Sequence, residues 1–251
     1  MTTGGAIQLI NLTKRYGGVA VVDCLSLEVS SGSIFGFLGP NGAGKSTTIK
    51  MMTGVATPDA GDVVIEKTSI RQDDVAVKRM IGVVSDNLAL FEYLSIWEHL
   101  DLVRSLFEIE ADAFEERSTQ LLHLLDLSAS ARTLARQASY GMRKKTALAM
   151  ALLPNPKVLI LDEPFEGLDP VMAISIKHAL KRAASRGTTI FLTTHMLDTV
   201  DNLVSHYGIV SHGALVAQGT IKELADAGKT LQAEYLAHFN GPSDGELAWL
   251  G

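Results

Sequence analysis

Short apolar runs alternate along the chain with longer stretches in which apolar residues recur every three or four positions. The runs at 33–38, 80–84, 158–161, 188–193 and 206–210 are brief, aliphatic and bounded by turn residues, which predicts buried strands. Continuous apolar strands of this kind suit a parallel sheet covered on both faces. Segments 7–12 and 20–29 predict strands of a separate antiparallel layer near the N-terminus. Helix signals fall between these runs. A helix is expected over 44–53, closed by Gly54. Ser95-Ile96-Trp97-Glu98 has the form of a capping box opening a helix that runs to about Phe107, and 112–126 carries an apolar stripe. Asp169-Pro170 pairs a helix cap with proline at the first helical position, and Gly187 closes that helix. No strong strand signal occurs between 88 and 150, so that stretch predicts a mostly helical insertion in an α/β chain.

Composition narrows the class. The chain has 251 residues, 47% apolar and 20% charged, in the range of ordinary globular proteins. Its net charge of −6 argues against a broad nucleic-acid or anionic-membrane surface, and no nucleic-acid partner is expected. One cysteine, Cys24, permits no internal disulfide, and a small buried apolar role is expected for it. The N-terminus does not read as a signal peptide, and no apolar run approaches the ~20 residues of a membrane helix. The run 147–153 reads as core helix.

Gly39-Pro40-Asn41-Gly42-Ala43-Gly44-Lys45-Ser46 matches the pattern G-x-x-x-x-G-K-[ST], with Thr47 following. An apolar strand leads in and a helix leads out, as a phosphate-binding loop requires. Glycines let backbone N–H groups close around phosphate oxygens, and a helix N-terminus adds partial positive charge. In this motif Lys45 reaches the β- and γ-phosphates and the Ser46 hydroxyl binds Mg²⁺. Downstream, Val158-Leu159-Ile160-Leu161-Asp162-Glu163 is an apolar strand ending in two acids. Alone, such a pair often just ends a strand. With a phosphate loop upstream, Asp162 is a candidate Mg²⁺ ligand and Glu163 a candidate base for an attacking water. His195 follows the run 188–193 and would lie where open α/β sheets bind ligands, within reach of a γ-phosphate.

These residues, with three further segments, closely resemble the ATP-binding cassette (ABC) ATPases over about 7–224. Ala138-Ser139-Tyr140-Gly141-Met142 stands where that family carries its signature motif, Gly167-Leu168-Asp169-Pro170 resembles its D-loop, and Thr194-His195 its switch histidine. The resemblance implies an α/β P-loop NTPase fold with a mainly parallel sheet, an N-terminal antiparallel β layer and a helical insertion. One ABC domain would span 1–229, with a helical subdomain at about 88–150 and a C-terminal helix and tail at 230–251. It implies adenine stacking on Tyr16 and Mg-dependent ATP hydrolysis. It also implies a second ATPase domain packed head to tail, so that Ser139, Gly141 and the D-loop Asp169 meet nucleotide across the interface. A separate transmembrane permease subunit would hold the chain at the cytoplasmic face of the membrane, and the chain resembles the separate ATPase subunits of bacterial exporters.

Three features depart from the family pattern. Asp86 in Ser85-Asp86-Asn87 aligns with the usual Q-loop glutamine and becomes a candidate metal-side residue. Tyr140 and Met142 replace the usual glycine and glutamine of the signature. Glu166 beside the D-loop reads as a solvated acid, and Arg143-Lys144-Lys145 as a solvated helix face. Phe91, Tyr93 and Trp97 are explained by core packing or, where exposed, by an interface for a membrane subunit. Alternatives to a transporter subunit are a soluble ABC ATPase driving cofactor assembly, a nucleic-acid machine of the same superfamily, and a nucleotide switch without turnover.

Overall fold

The computed structural model describes residues 5–200 and 202–239. In chain order its elements are β1 (Ile7–Tyr16), β2 (Val19–Val29), β3 (Ile34–Leu38), α1 (Lys45–Met52), β4 (Ala60–Ile65), β5 (Thr68–Ser69), α2 (Asp74–Met80) and β6 (Ile81–Val84). Then follow α3 (Ile96–Leu106), α4 (Ala111–Leu124), α5 (Tyr140–Leu152), β7 (Val158–Asp162), α6 (Pro170–Ser185) and β8 (Thr189–Thr194). The chain continues through α7 (Leu197–Val200), β9 (His206–Ser211), β10 (Ala214–Thr220), α8 (Ile221–Asp226) and α9 (Leu231–Ala237).

Two sheets form. One has the order β10-β9-β3-β8-β7-β6, parallel throughout except for the antiparallel edge strand β10. The other is antiparallel, β2-β1-β4-β5. Side chains of successive strand residues point to opposite faces, so the apolar runs feed two cores at once. Val158 and Ile160 join Phe37 and Phe191 in the core beneath the antiparallel sheet, α1 and α2. Leu159 and Leu161 join Leu192, Leu100, Leu148 and Ile176 in the core beneath α3, α5 and α6. Every residue of β3, β7 and β8 is buried, which is the parallel arrangement that unbroken apolar strands require.

The helices follow their end signals. Ser95 caps α3 by accepting the Glu98 N–H at 3.2 Å, while a Glu98 carboxylate oxygen accepts the Ser95 N–H at 2.7 Å. Asp169 accepts the Met172 N–H at 2.9 Å to open α6, with Pro170 at its first position. Helices α3, α4 and α5 occupy the chain between β6 and β7.

Several expectations shift. Met80 ends a helix rather than starting a strand: Asp73 caps α2 by accepting the Ala76 N–H at 2.8 Å, and extended backbone begins at Ile81. Strands β4, β5 and β10 and helix α8 carry weak apolar signals, and the sequence patterns did not predict them. Cys24 is exposed, not buried. It sits where the β1–β2 register shifts, with φ of 46°, and that bulge turns its side chain out of the alternation that buries Val22 and Leu25. The predicted C-terminal helix is α9; the polar end after Gly241-Pro242 lies outside the described residues.

Candidate functional site

The parallel register gathers the site. Strands β3, β8 and β7 are neighbours, with Leu38 paired to Thr194 and Asp162 to Thr193. The loop 39–44, the Asp162-Glu163 pair and His195 therefore leave the same carboxyl edge side by side, although up to 156 residues separate them in sequence.

The loop wraps tightly against its surroundings. A side chain at Gly39 would collide with the Val210 carbonyl, and one at Gly44 with the Val21 carbonyl. Gly42 and Gly44 have φ of 82° and 102°, conformations that only glycine adopts freely. Gly44 brings no side-chain cap to α1. The first N–H groups of that helix are left as free donors beside the loop. Lys45 is buried at 6% exposure, and its Nζ donates to the carbonyls of Gly39 at 2.7 Å and Pro40 at 3.2 Å. Nζ also lies 3.6 Å from Glu163 Oε1. Ser46 is exposed in the first turn of α1, and Asn41 is exposed on the loop.

Asp162 and Glu163 are buried at the end of β7. Thr193, fully buried on the neighbouring strand, serves both: its hydroxyl donates to Asp162 Oδ1 at 2.5 Å and accepts the Glu163 N–H at 3.2 Å. Glu163 has φ of 47°, a left-handed turn off the strand end. Its Oε1 lies 3.0 Å from His195 Nδ1. With Glu163 ionised, Nδ1 must carry the proton of that bond. Nε2 of the neutral ring then accepts from water, and donates to an oxyanion when the ring is protonated. Glu166 is exposed, but one of its carboxylate oxygens lies within 4.8 Å of the donor atoms of Glu163 and His195, so it is a third member of this cluster.

The signature-like segment packs on the D-loop-like segment of the same chain. Ser139 caps α5, accepting the Met142 N–H at 3.2 Å, and is exposed. Met172 of α6 packs directly on Gly141, its Sδ lying where a side chain at that position would begin. Gly167, with φ of 72°, faces the Tyr140 ring. Tyr16 ends β1 half-exposed, with Lys14 Nζ 5.5 Å from its ring centroid.

This geometry has close relatives. The family model described as ABC transporter matches residues 22–166. DrrA3, a daunorubicin resistance ATP-binding protein of Streptomyces coeruleorubidus, is 36% identical over 87% of this chain and 69% of its own. The chain belongs to the ABC transporter family. LptB, the lipopolysaccharide export system ATP-binding protein of Escherichia coli K12, is 34% identical over 85% of this chain and 90% of its own. A solved ATP-binding subunit of an ABC transporter superposes with a TM-score of 0.86 at 27% identity, over 92% of this chain and 98% of that one. The protein is thus the ATP-binding, ATP-hydrolysing subunit of an ABC transporter, with the α/β cassette fold expected from its sequence.

Within this ABC subunit the Arg143-Lys144-Lys145 stretch is not a solvated face. Lys144 is 1% exposed and Lys145 7%. Lys144 Nζ donates to the carbonyls of Glu163 at 2.7 Å and Glu166 at 2.9 Å. Burial pushes its ammonium below the ordinary lysine value, while the negative charges of Asp86, Glu166, Glu163 and Asp162 act in the opposite direction. Burial raises the Tyr140 hydroxyl, and Asp86 and Glu166 add to that shift. Asp86 is exposed and lines a groove of about 290 Å³ with Glu92, Arg136, Tyr140 and Arg143. Phe91 and Tyr93 are 60% and 73% exposed nearby, whereas Trp97 packs edge-on against Phe114 at 5.2 Å. Thr193 and Lys144 are the site residues that motif spacing did not single out. Lys144 follows Gly141-Met142 by two residues inside a basic run, and that charged composition pointed to solvent rather than to the buried helix position it takes.

Proposed function

We propose that this ABC subunit binds Mg-ATP at the edge of β3, β8 and β7 and cleaves it with Glu163 as the general base. The observation that carries this reading is the meeting of Lys45, Glu163 and His195 through one oxygen, Glu163 Oε1. Free N–H donors at the start of α1, including those of Ser46 and Thr47, with the backbone of Gly39, Pro40, Asn41, Gly42, Ala43 and Gly44, form a cradle for phosphate oxygens. Lys45 neutralises the terminal phosphates. Tyr16 supplies the ring for adenine.

The oxygen donors Ser46 and Asp162 suit a hard divalent cation. Thr193 takes one Asp162 oxygen, and among the described residues no protein donor takes the other. Ser46 and Asp162 would hold a Mg²⁺ ion, which would supply neutralisation of phosphate charge there. Asp86, in the groove beside Tyr140, would bring a further carboxylate towards the metal side. Glu163 orients the attacking water and takes its proton. Water oxygen bonds to the γ-phosphorus, the bond to the β–γ bridging oxygen breaks, and ADP and phosphate leave. His195 fixes the Glu163 carboxylate through Nδ1 and lies within reach of the γ-phosphate.

Ser139, Gly141 and Asp169 serve the nucleotide of a second ATPase domain, a copy of this chain or a relative, that packs head to tail with it. No described helix is long and apolar enough to cross a membrane. In this reading a separate permease subunit holds the chain at the cytoplasmic face of the membrane and docks near the exposed Phe91 and Tyr93. The export role in the name of LptB favours export and counts against a role in soluble cofactor assembly.

Glu163→Gln tests the base. Turnover is expected to fall about 10²–10⁴-fold, while ATP is retained and ATP-dependent dimers accumulate on gel filtration. Equal turnover in variant and parent would remove Glu163 from the chemistry.

A further inference from the structure

Lys144 is among the largest fully buried side chains of the protein, and nothing in the hydrolytic step uses it. Among the described residues it has no carboxylate within ion-pair distance. Its ammonium instead spans two carbonyls, Glu163 O and Glu166 O, at 2.7 and 2.9 Å. Hydrogen bonds from a charged donor to a buried carbonyl are the stronger kind. These two hold both ends of the turn that carries the base. That turn needs holding, because Glu163 has a left-handed φ of 47° that a residue with a side chain adopts only when its surroundings enforce it.

The same helix grips the turn a second time. Tyr140, one turn before Lys144, lays its ring over Lys144 Nζ at 5.5 Å and against Gly167. Met172 of α6 sits under Gly141. The first turns of α5, the Glu163–Gly167 stretch and the start of α6 are therefore one packed unit.

We propose that Lys144 is a positioning residue that couples the two nucleotide sites of the ATPase dimer. The inference rests on the head-to-tail dimer of the preceding section. In that dimer the start of α5, at Ser139 and Gly141, meets the nucleotide on the partner's phosphate loop. Glu163 acts on the nucleotide held by its own chain. Lys144 ties the start of α5 to the backbone of Glu163, so a nucleotide docked against α5 in one site sets the aim of the base in the other. Without the ammonium, each site loads nucleotide as before, but its base is no longer aimed by its neighbour.

The test uses Lys144→Met, which keeps the length of the side chain and removes its donors, and Lys144→Arg, which keeps donors. Turnover is measured against ATP concentration, and ATP-driven dimerisation is measured in the Glu163→Gln background. The parent is expected to show a Hill coefficient above one. Lys144→Met is expected to lower kcat by about 10–100-fold, the scale of a small misplacement at a reacting centre, and to bring the Hill coefficient to one. ATP affinity and dimerisation in the Glu163→Gln background are expected to persist. Lys144→Arg is expected to recover most of the kcat and the cooperativity. Should Lys144→Met fail to fold, Tyr140→Leu, at a position 37% exposed, carries the same test through loss of the ring that braces Nζ and Gly167.

A parent without cooperativity, a variant with the parent's kcat and Hill coefficient, or a kcat loss at unchanged cooperativity each overturns the coupling role. The last of these would leave Lys144 as a fold staple. If the Glu163→Gln protein forms no dimer with ATP, the dimer reading itself fails and the coupling fails with it. If it dimerises and Lys144→Met behaves as the parent, only the coupling fails.

Discussion

Thr193 has one hydroxyl and no exposed surface, yet it fixes both acids of the site. Replacing it by valine keeps the shape and orphans two buried groups, the Glu163 N–H and one oxygen of Asp162. Thr193→Val is expected to cost about 1–3 kcal/mol of stability, the penalty of an unsatisfied buried polar group, and to lower kcat. Urea denaturation and steady-state ATPase assays check the two effects, and a valine variant with unchanged kcat would separate Thr193 from the positioning of the acids. The sequence named Lys45, Asp162 and Glu163 because their chemistry is tied to local spacing, a glycine-rich loop into a helix and a strand into two acids. It did not name Thr193 and it read Lys144 as part of a solvated face, because their partners lie 30–31 and 19–22 residues away and become neighbours only in the fold. Cys24 was misplaced for a similar reason: burial by alternation assumes an unbroken register, and the β1–β2 bulge breaks it.

At the scale of elements, local chemistry at the ends was legible and marginal apolar pattern was not. The capping box at Ser95 and Glu98, the Asp169-Pro170 start of α6 and the glycine closing it all depend on residues within three or four positions. Ser95→Ala is expected to destabilise the protein by about 1 kcal/mol, seen as a lowered urea midpoint with the slope unchanged. Hydrogen bonds from the Ser95 N–H and hydroxyl hold the Glu98 carboxyl below its ordinary 4.5. A depressed folded value means that this stabilisation is complete above the ordinary value and is lost as pH falls through the depressed one. The difference between parent and Ser95→Ala should therefore shrink on acidification below that range, and a difference constant down to the acid limit would contradict the assignment. Strands β4 and β10 escaped notice because one opens on Ala-Gly-Asp and the other is half-exposed at an edge. Their pairing with β1 and β9, rather than their own composition, makes them strands.

Over the whole molecule, the order of strands does the work that motif matching cannot. The glycine-rich loop, the acids and the histidine converge because β3, β8 and β7 are adjacent and parallel, so their carboxyl ends open on one edge. The sheet class was readable from unbroken apolar strands; the strand order was not, since long crossovers separate neighbours in the sheet. The starts of α5 and α6, at Ser139, Tyr140 and Asp169, are exposed beside the base, where the proposed second ATPase domain would complete each site. The most direct measurement is calorimetric titration of the purified chain with Mg-ATP, beside Lys45→Ala. The account predicts saturable binding by the parent and severe weakening by the substitution, because Lys45 is the buried cation that bridges the loop and the base. A well-folded parent with no affinity for Mg-nucleotide, with or without its membrane partner, or a Lys45→Ala protein that binds as the parent does, would contradict it.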